Sequence, residues 1–219
     1  MDRKIVICEH APLRAQGFRR FLPAAKIVKT YQGEVIPESF DLLILGGGPM
    51  SAGATDRRQH PFLEKEFKLI QEIAFSRKQA PKLCGVCLGA QLITLALGGE
   101  VVKGEFVRGW NLITPVNPGP YFLAGTVPQF EYHQDHLTRL PDGAQLLAFS
   151  EKDAIEAFSF GEGIIATVYH PEITADFAPV VYSSAGLSAI ELQEERFADP
   201  GPLAETASQN FFQALLKEK

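Results

Sequence analysis

The stretch Lys82-Leu83-Cys84-Gly85-Val86-Cys87-Leu88-Gly89 constrains the fold of this chain more than any other. Lys82 to Cys84 reads as a short buried strand. Leu88 to Leu97 reads as a helix closed by Gly98-Gly99, so a strand passes into a helix with almost no loop between them. Such a turn is sharp. Gly85 and Gly89, two residues before and two after Cys87, remove Cβ atoms where the turn leaves no room, and Cys87 between them is held strained with its side chain outward. A strand that feeds a helix in this way is the building unit of a parallel sheet.

The rest of the first half repeats the alternation. Lys4 to Cys8, Lys26 to Thr30 and Phe40 to Leu45 read as strands, and Arg14 to Phe21 as a short helix. Phe62, Leu63, Phe67, Ile70, Ile73, Ala74 and Phe75 recur at helical spacing, which predicts a helix from Pro61 to Lys78 with the proline in its first turn. Later segments, Glu100 to Lys103, Leu112 to Val116, Gln145 to Phe149, Ala154 to Phe160 and Ile164 to Tyr169, read as strands, two or three of them antiparallel at a sheet edge. Ser188 to Phe197 and Leu203 to Leu216 read as helices divided by Asp199-Pro200-Gly201-Pro202. The expected fold is α/β: a three-layer, mostly parallel twisted sheet with helices on both faces and a small antiparallel edge ribbon. At 219 residues, with no repeat or long linker, the chain is expected to be a single domain over 1–219.

Composition narrows the function. The net charge is −5 with no basic block, which excludes a phosphate-backbone footprint and makes nucleic acid an unexpected partner. Apolar runs such as Leu42 to Leu45 and Gly163 to Val168 fall far short of the ~18 residues of a membrane span. The beginning, MDRKIVICEH, lacks the apolar core of a signal peptide. Three cysteines are too few for a disulfide framework, so a reducing, cytoplasmic setting is expected and each thiol has to be weighed singly.

Cys87 has the strongest case. At a helix N-terminus the positive end of the macrodipole favours thiolate over thiol. Taken alone, the same residue could be a small buried hydrophobe beside ordinary turn glycines. Its partners come later: Tyr169-His170-Pro171-Glu172 follows an apolar strand, and the C-terminal ends of parallel strands share one edge of the sheet. Glu172, two residues past His170 across a rigid proline, can accept the Nδ1 hydrogen and leave Nε2 toward the sulfur. A tetrahedral oxyanion needs backbone N–H donors. Leu88 N–H supplies one, and Gly46-Gly47-Gly48-Pro49, bare of side chains, offers the second at Gly48. That loop lacks the Lys-Ser/Thr of a phosphate-binding P-loop.

Gly47-Gly48-Pro49, Gly85-Val86-Cys87-Leu88-Gly89-Ala90-Gln91, His133-x-Asp135 with Leu140-Pro141-Asp142-Gly143-Ala144, and Tyr169-His170-Pro171-Glu172 occur in the order found in class I (triad-type) glutamine amidotransferases. Over about Ile44 to Ile173 the chain resembles that family, most closely its stand-alone, GMP-synthase-like members. The resemblance implies a flavodoxin-like sheet core and hydrolysis of glutamine through a γ-glutamyl thioester. It implies Cys87 as nucleophile, His170 as general base and acid, Glu172 as its orienter, and Gly48 and Leu88 as oxyanion donors. Gln91, His133, Gln134 and Asp135 fall on the substrate side. The chain departs from the family in two places: Gln134 stands where members often carry glycine, and Val107-Arg108-Gly109-Trp110 replaces a commonly acidic Glu-x-Gly-Trp stretch.

No cofactor and no metal is expected; His133, Asp135 and His136 lack a fourth ligand at fixed spacing. Cys8 and Cys84 are expected in the core, and Cys8-Glu9-His10 has no elbow. About 47 residues follow Glu172, too few for a synthetase domain, so the ammonia is expected to pass to a separate synthetase chain or simply be released. Two other readings stay open: a γ-glutamyl peptide or conjugate hydrolase with the same triad, and a catalytically idle binding or regulatory protein that keeps the fold.

Overall fold

A computed structural model describes residues 3–76, 80–184 and 200–217. Among these residues nine strands form one sheet in the order β2-β1-β3-β4-β9-β8-β7-β5-β6. The first five in that order are parallel: β2 (Lys26–Lys29), β1 (Ile5–Glu9), β3 (Leu42–Leu45), β4 (Lys82–Val86) and β9 (Ile164–Thr167). This is the order of flavodoxin-like doubly wound sheets. From β9 outward the pairing is antiparallel through β8 (Ala157–Phe160), β7 (Ala144–Phe149), β5 (Glu100–Pro115) and β6 (Val127–Arg139).

The parallel strands are short apolar runs because helices cover both their faces. Alternate residues divide into two cores. Val6, Cys8, Leu43, Leu45 and Leu83 face α2 (Pro61–Ala74) and α3 (Leu88–Ala96), where Leu63, Ile70, Leu92 and Ile93 meet them. Ile5, Ile7, Leu42, Ile44, Cys84 and Val86 pack instead with Phe18, Leu22 and the last helix, α5 (Gly201–Leu216), through Phe211, Phe212 and Leu215. Cys8 and Cys84 are fully buried, and burial raises both thiols above their ordinary range, which leaves them inert. No helix among the described residues is long and apolar enough to cross a membrane.

Several elements differ from the sequence expectation. Only Gly17–Arg20 of the expected Arg14 to Phe21 helix is helical, as a single 3₁₀ turn, because Leu13 and the tight turns after it take up the chain. A short helix, α1 (Ala54–Gln59), precedes α2, and α2 stops at Ala74 rather than Lys78. Glu100 to Lys103 and Leu112 to Val116 are the two ends of one long strand, β5, joined through a bulge between Lys103 and Val107. The edge ribbon is therefore four strands wide, not two or three. Its outermost strand, β6, escapes a reading by periodicity because Pro128, Gln129, Glu131, His133, Gln134, Asp135 and His136 break the apolar alternation that identifies a strand. The Ser188 to Phe197 helix lies outside the described residues; α4 (Ala178–Ser184) comes just before them.

Candidate active site

Cys87 follows β4 directly and caps α3 with φ 52° and ψ −108°, one of two non-glycine residues at positive φ among the described residues. A side chain pays for that conformation in strain, which persists only where its surroundings enforce it. Here the enforcement is visible. A Cβ on Gly89 would lie 2.1 Å from Leu45 O, and one on Gly85 2.7 Å from the Gly89 carbonyl, so the elbow closes only with glycine at both flanks. Thr167 O on β9 accepts the Cys87 N–H at 2.9 Å, and Gln91 N–H bonds back to Cys87 O at 3.0 Å.

His170 stands just past the end of β9, next to β4 in the sheet. Its backbone N–H donates to Phe130 O on β6 at 2.7 Å, so both halves of the sheet hold it. Its ring Nδ1 lies 2.7 Å from Glu172 Oε1, and both side chains are buried. This bond fixes the tautomer with the proton on Nδ1 when the ring is neutral. Nε2 is buried with no hydrogen bond of ordinary length among the described residues; the neighbouring Cys87 thiol influences it by charge and hydrogen bonding. Burial opposes protonation of this ring, but the Glu172 carboxylate and then Cys87 outweigh it, raising His170 to about 10. A cationic imidazole beside a cysteine favours the thiolate.

Glycines also bring the backbone up to this pair. A Cβ on Gly47 would sit 2.9 Å from His170 Cε1 and 3.6 Å from Cys87 Cβ, and one on Gly17 2.6 Å from Glu172 O. As the first residue of α3, Leu88 has an N–H with no acceptor in its own helix. Gly48 leaves the end of β3 opposite it, where a Cβ would meet the Leu88 side chain at 2.8 Å. The Gly46-Gly47-Gly48 loop rests on a buried pair: His10 Nδ1 donates to Gly46 O at 3.0 Å while Nε2 meets Glu66 Oε2 at 2.8 Å. His10 is thus a support for the glycine loop and not half of a second cysteine/histidine pair.

Cys87, His170 and Gly48 open into a cleft of about 720 Å³, which Gln91, His133, Gln134 and Asp135 also line. All four expected substrate-side residues therefore come to one place, on α3 and β6. Gln91 donates to Asp135 O at 3.4 Å, which ties the two walls together. His133 is buried and bonds Glu131 at 3.2 Å, with burial lowering its ring below the usual histidine range, whereas Gln134 is exposed. The remaining lining includes Arg14, Asp56, Lys103, Phe106 and Tyr132, which sequence reasoning missed. Phe106 reaches the cleft because the β5 bulge sets three residues, Gly104 to Phe106, against Gln134; its ring then meets Tyr132 edge-on at 4.9 Å. No spacing rule marks a bulge of that size, although Gly104 within a strand was a signal for one.

The sequence model described as glutamine amidotransferase class-I matches residues 16–178, through the elbow, β6 and the His170 turn. Among curated relatives, γ-glutamyl peptidase 5 of Arabidopsis thaliana is 27% identical over 171 residues, covering 74% of this chain and 64% of its own length. A glutamine-hydrolysing GMP synthase subunit of Ignicoccus hospitalis is 29% identical over 139 residues, covering 61% of this chain and 68% of its own. The crystal structure of a glutamine amidotransferase from Thermotoga maritima superposes with a TM-score of 0.77 at 26% identity, over 99% of this chain and 97% of that one. Sequence model, sheet order and whole-chain superposition agree: this chain belongs to the class I glutamine amidotransferase family.

Proposed function

We propose that the chain, folded as one domain over 1–219, hydrolyses the side-chain amide of glutamine or of a γ-glutamyl compound through a thioester on Cys87. The observation that carries this reading is the Cys87 elbow at positive φ beside a His170 that Glu172 orients and charges, at the mouth of a cleft.

The Cys87 thiolate attacks the amide carbon and a C–S bond forms. The N–H groups of Gly48 and Leu88 take the developing oxyanion. Protonated His170 gives its Nε2 proton to the departing nitrogen as the C–N bond breaks, leaving a γ-glutamyl thioester and a neutral imidazole. Water then attacks the thioester, His170 takes a proton from it, and the C–S bond breaks to release glutamate. Gln91, His133, Gln134 and Asp135 position the amino-acid head group. No step needs a cofactor.

A specific observation favours the γ-glutamyl conjugate beside free glutamine. The cleft falls within the ~300–1,000 Å³ typical of drug-sized ligands, and Arg14, Lys103, Phe106 and Tyr132 extend it beyond the triad. The relative named γ-glutamyl peptidase supports the same choice. In the glutamine reading the ammonia passes to a synthetase on a separate chain, in keeping with a relative named as one subunit of GMP synthase. Ammonia, amine and glutamate release from glutamine and from γ-glutamyl dipeptides, with Cys87→Ala as control, tests both. Release by the wild type alone supports the mechanism, the preferred donor names the substrate, and release unchanged in the variant refutes it.

A further inference from the structure

His133 lines the cleft, and its Nε2 adjoins a buried group of carboxyl side chains, Glu131, Asp153 and Glu156, that the mechanism does not use. Glu131 and Glu156 are fully buried, with Asp153 5% and His133 4% exposed. The ligating atoms of Glu131, Asp153 and Glu156 lie within 4.8 Å of one another, and so do those of His133, His136 and Asp153. Buried polar atoms almost always have partners. Yet Asp153 Oδ2 has no hydrogen-bond partner among the described residues, and neither do Glu131 Oε2 and Glu156 Oε2 as carboxylates; a shared proton would let those two side chains bond each other. One of these points inward: Asp153 Oδ2 stands 3.7 Å from His133 Nε2.

We propose that Glu131, Asp153 and Glu156, with the imidazole of His133, bind one divalent cation. Three carboxylates and an imidazole suit Mn²⁺ or Zn²⁺. Supporting groups are also in place. His136 Nδ1 holds the other Asp153 oxygen at 2.5 Å, and its Nε2 meets Glu105 O at 2.7 Å across the β5 bulge. Ser150 Oγ donates to Glu156 Oε1 at 2.6 Å. Such outer partners orient ligands in metal sites.

The site would join parts of the chain that meet nowhere else in sequence. Glu131 and His133 belong to β6, and Asp153 and Glu156 to the turn between β7 and β8. Glu156 O accepts Val168 N–H at 2.7 Å, two residues before His170. The cation is thus a structural tie between the cleft wall and the strand end that carries His170. It requires none of Cys87, His170 or Glu172.

The full chain, stripped with chelator, is titrated calorimetrically with MnCl₂ and with ZnCl₂, and its thermal unfolding is followed. One ion per chain with a raised unfolding midpoint is expected, weakened at least 10-fold in Glu156→Gln and unchanged in Cys87→Ala. If Glu156→Gln does not fold, substoichiometric Mn²⁺ added to the wild type decides by NMR: the His133 and His136 ring signals broaden before that of His60. The proposal is overturned by the absence of saturable binding, with the carboxyls then sharing protons. Binding that Glu156→Gln leaves intact, binding that Cys87→Ala abolishes, or broadening at His60 first would overturn it equally.

Discussion

The parallel and antiparallel halves of the sheet supply the candidate site in different ways. In the parallel half, backbones meet backbones. Gly89 against Leu45 O, Gly85 against Gly89 and Gly17 against Glu172 O leave no space for a methyl group, and the strands behind them are apolar on both faces. In the antiparallel half, side chains meet side chains: Glu131, His133, Asp153 and Glu156 are packed inside, with His136 partly buried against Asp153, and the bulge opposite Gln134 lies at the cleft. The first arrangement fixes the position of reacting atoms by steric exclusion. In the proposed reading the second sets what the cleft accepts, and a side-chain substitution there leaves the Cys87 turn intact. His170 is where they join, since its ring follows β9 while its backbone bonds to β6.

The largest effect expected is on the parallel side. Cys87→Ala should lower turnover by roughly 10⁴-fold or more, as loss of a nucleophile does in comparable triads. Steady-state kinetics with the preferred γ-glutamyl donor measure it, and a variant within 10-fold of wild type would remove Cys87 from the account.

Glu172→Gln comes next, with a loss of roughly 10³-fold and a pH signature. His170 in the folded chain stands near 10, above its ordinary 6.5. The stability that its protonated form contributes is therefore fully present below about 6.5 and is lost as pH rises through about 10. Without the Glu172 charge this loss, and the alkaline limb of kcat/KM, should move to lower pH. Urea midpoints and rate profiles over the alkaline range check the direction; an unmoved limb would mean that Glu172 does not charge the ring.

A pair of glycine substitutions contrasts the two halves directly. In Gly89→Ala the new methyl meets the Leu45 backbone at 2.1 Å, and overpacking of this kind costs ~1–3 kcal/mol or more. In Gly104→Ala it meets the His136 ring, at 2.5 Å from Cδ2, a side chain that gives way only by loosening its bonds to Asp153 and Glu105 O; a cost of about 1 kcal/mol, below that of Gly89→Ala, is expected. Unfolding midpoints in urea give both numbers, and equal costs would erase the distinction between backbone and side-chain contact.

The smallest effect should come from the surface. Arg20 bonds Asp176 at 3.1 Å and Glu205 at 2.5 Å, but it is 45% exposed. Arg20→Ala should cost under ~1 kcal/mol. Its urea midpoint, measured beside that of the wild type, checks this.

The same contrast explains what was legible in the sequence. Leu42 to Leu45 and Lys82 to Cys84 announced themselves as strands because helices bury both faces, and the Gly85 and Gly89 spacing announced the elbow because sterics admit nothing else there. The His170-Pro171-Glu172 turn was legible for a related reason, since a proline between the two side chains holds them at one separation. β6 was not legible. Its Glu131 and His133 are inside because they face Asp153 and Glu156 of the β7–β8 turn, and pairing between segments so far apart leaves no periodicity in either. Arg14, Lys103 and Phe106 were missed likewise: a tight turn and a bulge bring them to the cleft, and neither has a repeating signature.

The most direct test is the covalent state of Cys87 during turnover. Wild-type chain mixed with a γ-glutamyl donor, quenched in acid and weighed intact by mass spectrometry should gain one γ-glutamyl group. Digestion should place that group on the peptide containing Cys87. Acylation at another residue, or turnover with no acyl-enzyme under rapid quench and no dependence on Cys87, would contradict the account.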